Sequence, residues 1–185
     1  REIGEYERID LNSIADMASR EGVFIKKYSE PKRLLLCINV QKDFMKYGSM
    51  PISGANKDVE NITKFIYNNF FGLDKIVCNC ESNLIHQIFH PCWWRDNDGN
   101  HPEPNTIITY QDFIKKKWIP EFELLESIKY LCYLDMNKSD PLRIRPYHCI
   151  EGAEGCSFEN EFAKMILFHS IVHEKKVTVT TGKGK

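Results

Sequence analysis

Arg33-Leu-Leu-Leu-Cys-Ile-Asn-Val-Gln-Lys-Asp-Phe44 is the stretch whose reading decides the fold. Leu34 to Ile38 are apolar without a break, the pattern of a strand covered on both faces in a parallel α/β sheet. Asn39, Gln41 and Asp43 follow at once. Ligands of open α/β sheets sit beyond the carboxyl ends of the strands, so Asn39 is placed to meet one. Outward from there, Gly48, Pro51 and Gly54 punctuate a loop, and Asn56 or Asp58 opens a helix. Val59, Ile62, Phe65, Ile66 and Phe70 share one side of that helix, and Gly72 ends it. Asp74 to Cys80 forms a second strand. Strand, helix and strand at these lengths predict a right-handed crossover with a parallel pair.

Toward the N-terminus, residues 1–30 read as a helical appendage to a domain spanning 31–185. Asp10 or Asn12 caps a short helix with Leu11, Ile14, Ala15 and Ala18 on one face, ended by Gly22. Such a helix packs on the domain's flank or serves as a partner-binding arm. Toward the C-terminus, the chemically dense loop from Cys80 to Pro104 carries Phe89, Trp93 and Trp94, which predict that it is packed. A helix is expected from Glu121 to Met136, with Leu125, Ile128 and Leu131 or Cys132 inward, and a short strand from Leu142 to Pro146. Ser157 caps a last helix presenting Phe158, Phe162, Met165, Ile166 and His169, and a β-branched strand starts at Val177. The chain opens on Arg1 and stops straight after that run, so a processed or partial chain, incomplete at its C-terminus, is expected.

A length of 185 residues suits one domain with a sizeable core. The net charge of −1 gives no electrostatic case for nucleic acid or an anionic membrane. No apolar run approaches the roughly 20 residues that span a bilayer. The seven cysteines are odd in number and scattered through expected strands and helices. That usage predicts reduced thiols in a cytoplasmic, reducing compartment rather than a disulfide framework.

Three constellations could carry chemistry. Glu81, Asn83, His86, His90 and His101 cluster after the second strand, and imidazole with carboxylate suits Zn²⁺ or Fe²⁺. The alternative is that these histidines hydrogen-bond the loop's own backbone beside the tryptophans. A cysteine nucleophile needs a base or cation beside it. Cys149 follows His148, but neighbours in an extended segment point to opposite faces. Lys183, between glycines at the end of a strand, is either a positioned cation or an ordinary solvated lysine.

Several segments taken together resemble one family. Leu35-Leu-Cys-Ile-Asn-Val-Gln-Lys-Asp-Phe44 with Gly48-Ser-Met-Pro-Ile-Ser-Gly-Ala55 is similar to the opening of the isochorismatase-like cysteine hydrolases, which include the nicotinamidases. Ile88-Phe-His-Pro-Cys-Trp-Trp94, Asp98-Gly-Asn-His-Pro-Glu-Pro104, Trp118-Ile-Pro120 and Pro146-Tyr-His-Cys-Ile-Glu-Gly152 look like segments of the nicotinamidase-like branch. The resemblance runs from about residue 33 to the end. It implies a Rossmann-like three-layer α/β fold with a parallel sheet, and an Asp, Lys and Cys triad that hydrolyses a small amide or enol ether. In nicotinamidases an Asp-x-His pair and two further histidines bind a metal that orients the substrate.

Carried over by position, the family's catalytic aspartate falls on Asn39 and its lysine on Lys183. The Asp-x-His pair falls on Glu81 and Asn83, with His90 and His101 as counterparts of the other two ligands. The nucleophilic cysteine is expected at a strand-to-helix turn beyond Lys185. An amide has no useful basicity near neutral pH, and losing a general base costs at least ~10²-fold. Asn83 is a poor replacement for an imidazole ligand. The resemblance therefore implies a decayed site, in an inactive domain kept as a structural or protein-interaction module. Protein partners are expected, with the N-terminal helix and the aromatic loop as contact surfaces, and neither nucleic acid nor membrane. No cofactor is expected, and Zn²⁺ or Fe²⁺ only where the metal site survives. The alternatives are an active amidohydrolase of a small amide such as nicotinamide, with Asp43 or Glu81 as substitute base, and a sensor that binds the amide without turnover.

Overall fold

The computed structural model describes residues 3–5, 7–22, 33–174 and 178–183. Helix α1 (Leu11–Gly22) comes first, followed by strand β1 (Arg33–Ile38). Helix α2 (Ala55–Asn68) leads back to strand β2 (Leu73–Ser82). Short strands β3 (Trp94–Arg95) and β4 (Ile107–Ile108), helix α3 (Tyr110–Ile114) and strand β5 (Ile119–Pro120) follow. Helix α4 (Leu124–Met136), strand β6 (Leu142–Arg143), helix α5 (Asn160–Val172) and strand β7 (Thr178–Lys183) complete the order. The main sheet runs β1-β2-β7 with both pairings parallel. The expected α/β class with a parallel sheet is what the chain adopts.

The alternation of β1 and β2 fixes where the core sits. Cys37, Ile76 and Cys78 point to the face covered by Val59 and Ile66 of α2 and by Phe162 and Ile166 of α5. Leu34, Leu36 and Ile38 point the other way and are 59%, 54% and 62% exposed. The unbroken apolar run predicts cover on both faces, and the described residues supply it on one. The remaining apolar side chains line an open sheet face.

The helix boundaries follow local chemistry, with shifts from expectation. Asp10 Oδ1 accepts from the backbone of Asn12 and Ser13, so Asp10 caps α1. Ile14 and Ala18 are buried against Phe70 and Phe168, the latter on α5. Described residues ahead of α1 are tied down as well. Gly4 N donates to Glu159, Asn160 Nδ2 to the Glu5 carbonyl, and Lys164 Nζ to Glu7 at 2.6 Å. Gly54, not Asn56 or Asp58, caps α2, in a left-handed conformation. Glu159, not Ser157, caps α5, its carboxylate accepting from Phe162 N.

The dense loop is packed, as its aromatics predict. Trp94 is fully buried with Phe89, Ile108, Leu131, Leu142 and Ile144 in a second, smaller core. In α4 the inward residues are Ser127 and Leu131, whereas Leu125 is exposed. The Ser127 hydroxyl accepts from Trp93 Nε1 at 2.9 Å and donates to the Phe122 carbonyl. That hydrogen bonding, invisible to hydrophobic periodicity, sets the rotation of the helix. Among the described residues no helix is long and apolar enough to cross a membrane.

Candidate functional site

The carboxyl ends of β1 and β2 are held together by Gln41. Its side chain is fully buried, accepts from Glu81 N at 2.8 Å, and donates to the carbonyls of Glu81 and Cys156, both at 2.8 Å. An amide thus extends the sheet where backbone pairing stops, and it fixes the backbone of Glu81. Asn39 lies just before it with φ 55. Asparagine tolerates this left-handed backbone better than most residues, so position 39 has a conformational demand as well as a chemical one. Asn39 Oδ1 is buried with no hydrogen-bond partner among the described residues.

Asp43 is consumed by structure. Its carboxylate accepts from Cys149 N at 2.6 Å and from Ser49 N at 3.2 Å, closing the loop after β1. Gly155 packs directly against that carboxylate, where a Cβ would overlap it. A cleft of about 660 Å³ opens beside Asp43, lined by Lys42, Tyr47, Gly48, Glu154 and Gly155, among others. Asn39, Glu81, Asn83 and His148 do not line it, and the ion pair of Lys42 with Glu154 at 3.0 Å bridges its wall. The polar chemistry therefore lies apart from that cleft.

That chemistry centres on Glu81. Glu81 Oε1 accepts from His148 Nε2 at 3.0 Å and from Asn83 Nδ2 at 3.0 Å. Asn83 Nδ2 also donates to the His148 carbonyl at 3.1 Å. His148 Nδ1 meets the Pro146 carbonyl at 2.8 Å, so both ring nitrogens face acceptors. Such a ring is best satisfied as an imidazolium. Burial pulls the His148 pKa down, but the Glu81 carboxylate and the Pro146 carbonyl outweigh it, and the pKa is raised. The hydrogen bond from His148 chiefly lowers Glu81, to about 2.

The signs set a pH window. Glu81's contribution to stability is present above its unfolded value near 4.5 and is lost as pH falls toward about 2. His148's is present below 6.5 and is lost as pH rises through its raised value. Thermal melts are expected to show a plateau between about pH 4.5 and 6.5 and a decline on the alkaline side. The decline should vanish in His148→Gln.

The predicted site residues separate accordingly. Glu81 and Asn83 meet, and His90 lies near them with its ring centroid 5.6 Å from that of His148. His90 is fully buried, turns Nδ1 to the Ile85 carbonyl at 2.9 Å, and leaves Nε2 without a partner among the described residues. Its pKa is lowered, first by burial. His101 is exposed and turns Nδ1 to the Trp94 carbonyl at 2.8 Å, and exposed His86 lies against Phe122. Those two histidines serve the loop. Lys183 ends β7 in register with Ser82, which puts its backbone at the same end of the sheet. Cys149 is fully buried, and burial first, then Asp43 and Glu81, push its thiol up, away from thiolate.

His148 is the residue that sequence reasoning left without a role. It reaches Glu81 because Asn83 bridges Ile150 in parallel, with Asn83 N donating to the Cys149 carbonyl at 2.9 Å. The signals pointing to it were its place beside Cys149 and in the Pro146–Gly152 segment of the resemblance, and neither pointed to Glu81.

No protein-family model matches the sequence, and no curated protein matches it. Among solved structures, yeast nicotinamidase bound to nicotinaldehyde is 14% identical, with a TM-score of 0.49 over 83% of this chain and 57% of that one. An Acinetobacter baumanii nicotinamidase/pyrazinamidase is 15% identical, with a TM-score of 0.43 over 73% of this chain and 47% of that one. The Pyrococcus horikoshii pyrazinamidase in complex with zinc is 12% identical, with a TM-score of 0.39 over 84% and 54%. The chain is similar to nicotinamidases in fold. It spans about half the length of these neighbours.

A divalent ion needs several lone pairs converging from imidazole or carboxylate groups. Among the described residues no three His, Cys, Asp or Glu side chains are grouped to hold an ion. His148 directs both nitrogens to oxygen acceptors, and Asn83 turns its N–H groups, not its Oδ1, toward Glu81 and His148. The donor set does not fit.

Proposed function

We propose that the chain is a catalytically inactive isochorismatase/nicotinamidase-like domain, retained as a structural or protein-interaction module of a larger assembly. The observation that carries this reading is the amide of Asn39 at the end of β1, where a hydrolase of this type needs a general base. The two carboxylates nearest in sequence and space speak against substitution. Asp43 is occupied by two backbone N–H groups, and Glu81, lowered to about 2, is too weak a base and is engaged by His148.

The interaction half of the reading is supported by apolar side chains on the surface. Leu125, Tyr133 and Met136 are exposed along one side of α4, besides the open face of β1. The tryptophan loop and α1, the contact surfaces expected from sequence, spend much of their apolar area inside the domain.

The test is a deamidase assay of the full-length protein with nicotinamide and related small amides. No acid product above the uncatalysed rate is expected, and Asn39→Asp is expected to leave that result unchanged because Asn83 fails independently. Turnover that is lost on mutating Lys183 would defeat the reading and favour an active amidohydrolase.

A further inference from the structure

Glu81 Oε1, His148 Nε2 and Asn83 Nδ2 surround one point, with separations of 3.0, 3.0 and 3.4 Å. Atoms that share one four-coordinate ion at about 2.0–2.2 Å lie only slightly farther apart. The shape of a metal corner is therefore present, and its chemistry is altered at one position. The nitrogen of a primary amide delocalises its lone pair into the carbonyl and offers hydrogens instead. Asn83 uses them on Glu81 Oε1 and on the His148 carbonyl at 3.1 Å. Turning the amide over would lose both bonds and set Oδ1 against the Glu81 carboxylate. Asn83 is fully buried, so either loss is uncompensated by water.

We propose that Asn83 closes Glu81 and His148 into a metal-free hydrogen-bonded knot, and that Asn83→His alone converts the knot into a divalent-metal site. Imidazole at this position supplies the missing lone pair beside a carboxylate and a second imidazole, a sufficient set for Zn²⁺ or Co²⁺. The Asn83 hydrogen bonds that hold Glu81 and the His148 backbone disappear in the variant, which frees Glu81 Oε1 for the ion. His90, buried with a bare Nε2 near His148, is the fourth candidate ligand. The inference deepens the inactive reading, yet metal content is measured independently of turnover, so either can fail alone.

The experiment is Co²⁺ titration of the EDTA-treated, dialysed full chain, followed by visible absorption and metal analysis. Wild type is expected to retain under about a tenth of an equivalent and show no Co²⁺ bands, while Asn83→His retains about one. Combining Asn83→His with His148→Gln should abolish the bands. Asn83→Asp provides a second arm that keeps the side-chain shape. Its melting temperature should rise by several degrees with Zn²⁺, and that of wild type should not move. A wild-type chain holding about one equivalent overturns the proposal and assigns the bare Nε2 of His90 to that ion. Folded Asn83→His and Asn83→Asp chains that both ignore metal overturn it as well.

Discussion

Gly48→Ala is expected to destabilise the domain by about 3 kcal/mol or more. The turn after β1 brings Gly48 onto the backbone of Lys42 and Asp43, so that a Cβ would overlap the carbonyl groups themselves. Backbone cannot rotate away as a side chain can. The segment is also pinned on both sides, because Gly48 N donates to the Met45 carbonyl and Met50 N to the Asp43 carbonyl, each at 2.9 Å. Making room means breaking those bonds or pulling Asp43 off Cys149 N. A urea midpoint lowered by about 1 M or more would register this. Gly54→Ala is the control: Gly54 has φ +88 but open space around its would-be Cβ. It should cost only about 1 kcal/mol, from backbone strain. Equal losses for the two variants would refute the overlap argument.

Gln41→Leu is expected to cost a similar amount, about 3 kcal/mol, for the opposite reason. Leucine fills nearly the same volume, so packing survives. What goes is the set of three hydrogen bonds to Glu81 N, Glu81 O and Cys156 O, leaving buried backbone groups unpaired. Because Gln41 fixes the backbone that carries the Glu81 carboxylate, the His148 pair should loosen too. The His148 ring protons, followed by NMR, are then expected to titrate closer to an ordinary histidine than in wild type. A stability loss with an unmoved His148 titration would leave Gln41 a structural amide with no hold on the site.

Much of the fold was legible because its signals are local. The apolar run of β1, the one-sided apolar spacing of α2 and the second run of β2 are contiguous, and each element appears close to where its pattern lies. Asp10 and Gly22 bracket α1 for the same reason. Which apolar residues turn inward was less legible. Phe65 on α2 and Leu125 on α4 belong to the expected inner faces and are exposed. Periodicity gives a face only to within the width of one side chain, and a partner such as Trp93 on Ser127 decides the rest.

The site divides along the same line. The sequence by itself determined that position 39 is an amide, that position 83 lacks an imidazole, and that both belong to the loops beyond adjacent strands. Those are matters of residue type, and no folding changes them. Only the tertiary structure decided that His148, 67 residues from Glu81, completes the cluster, whereas His101 and His86 serve the loop. It also decided that Asp43 is spent on Cys149 N. The physical reason is that a buried polar group takes whatever partner the chain path brings within about 3 Å. Here that path is set by a single parallel bridge between Asn83 and Ile150, which leaves no periodicity to read.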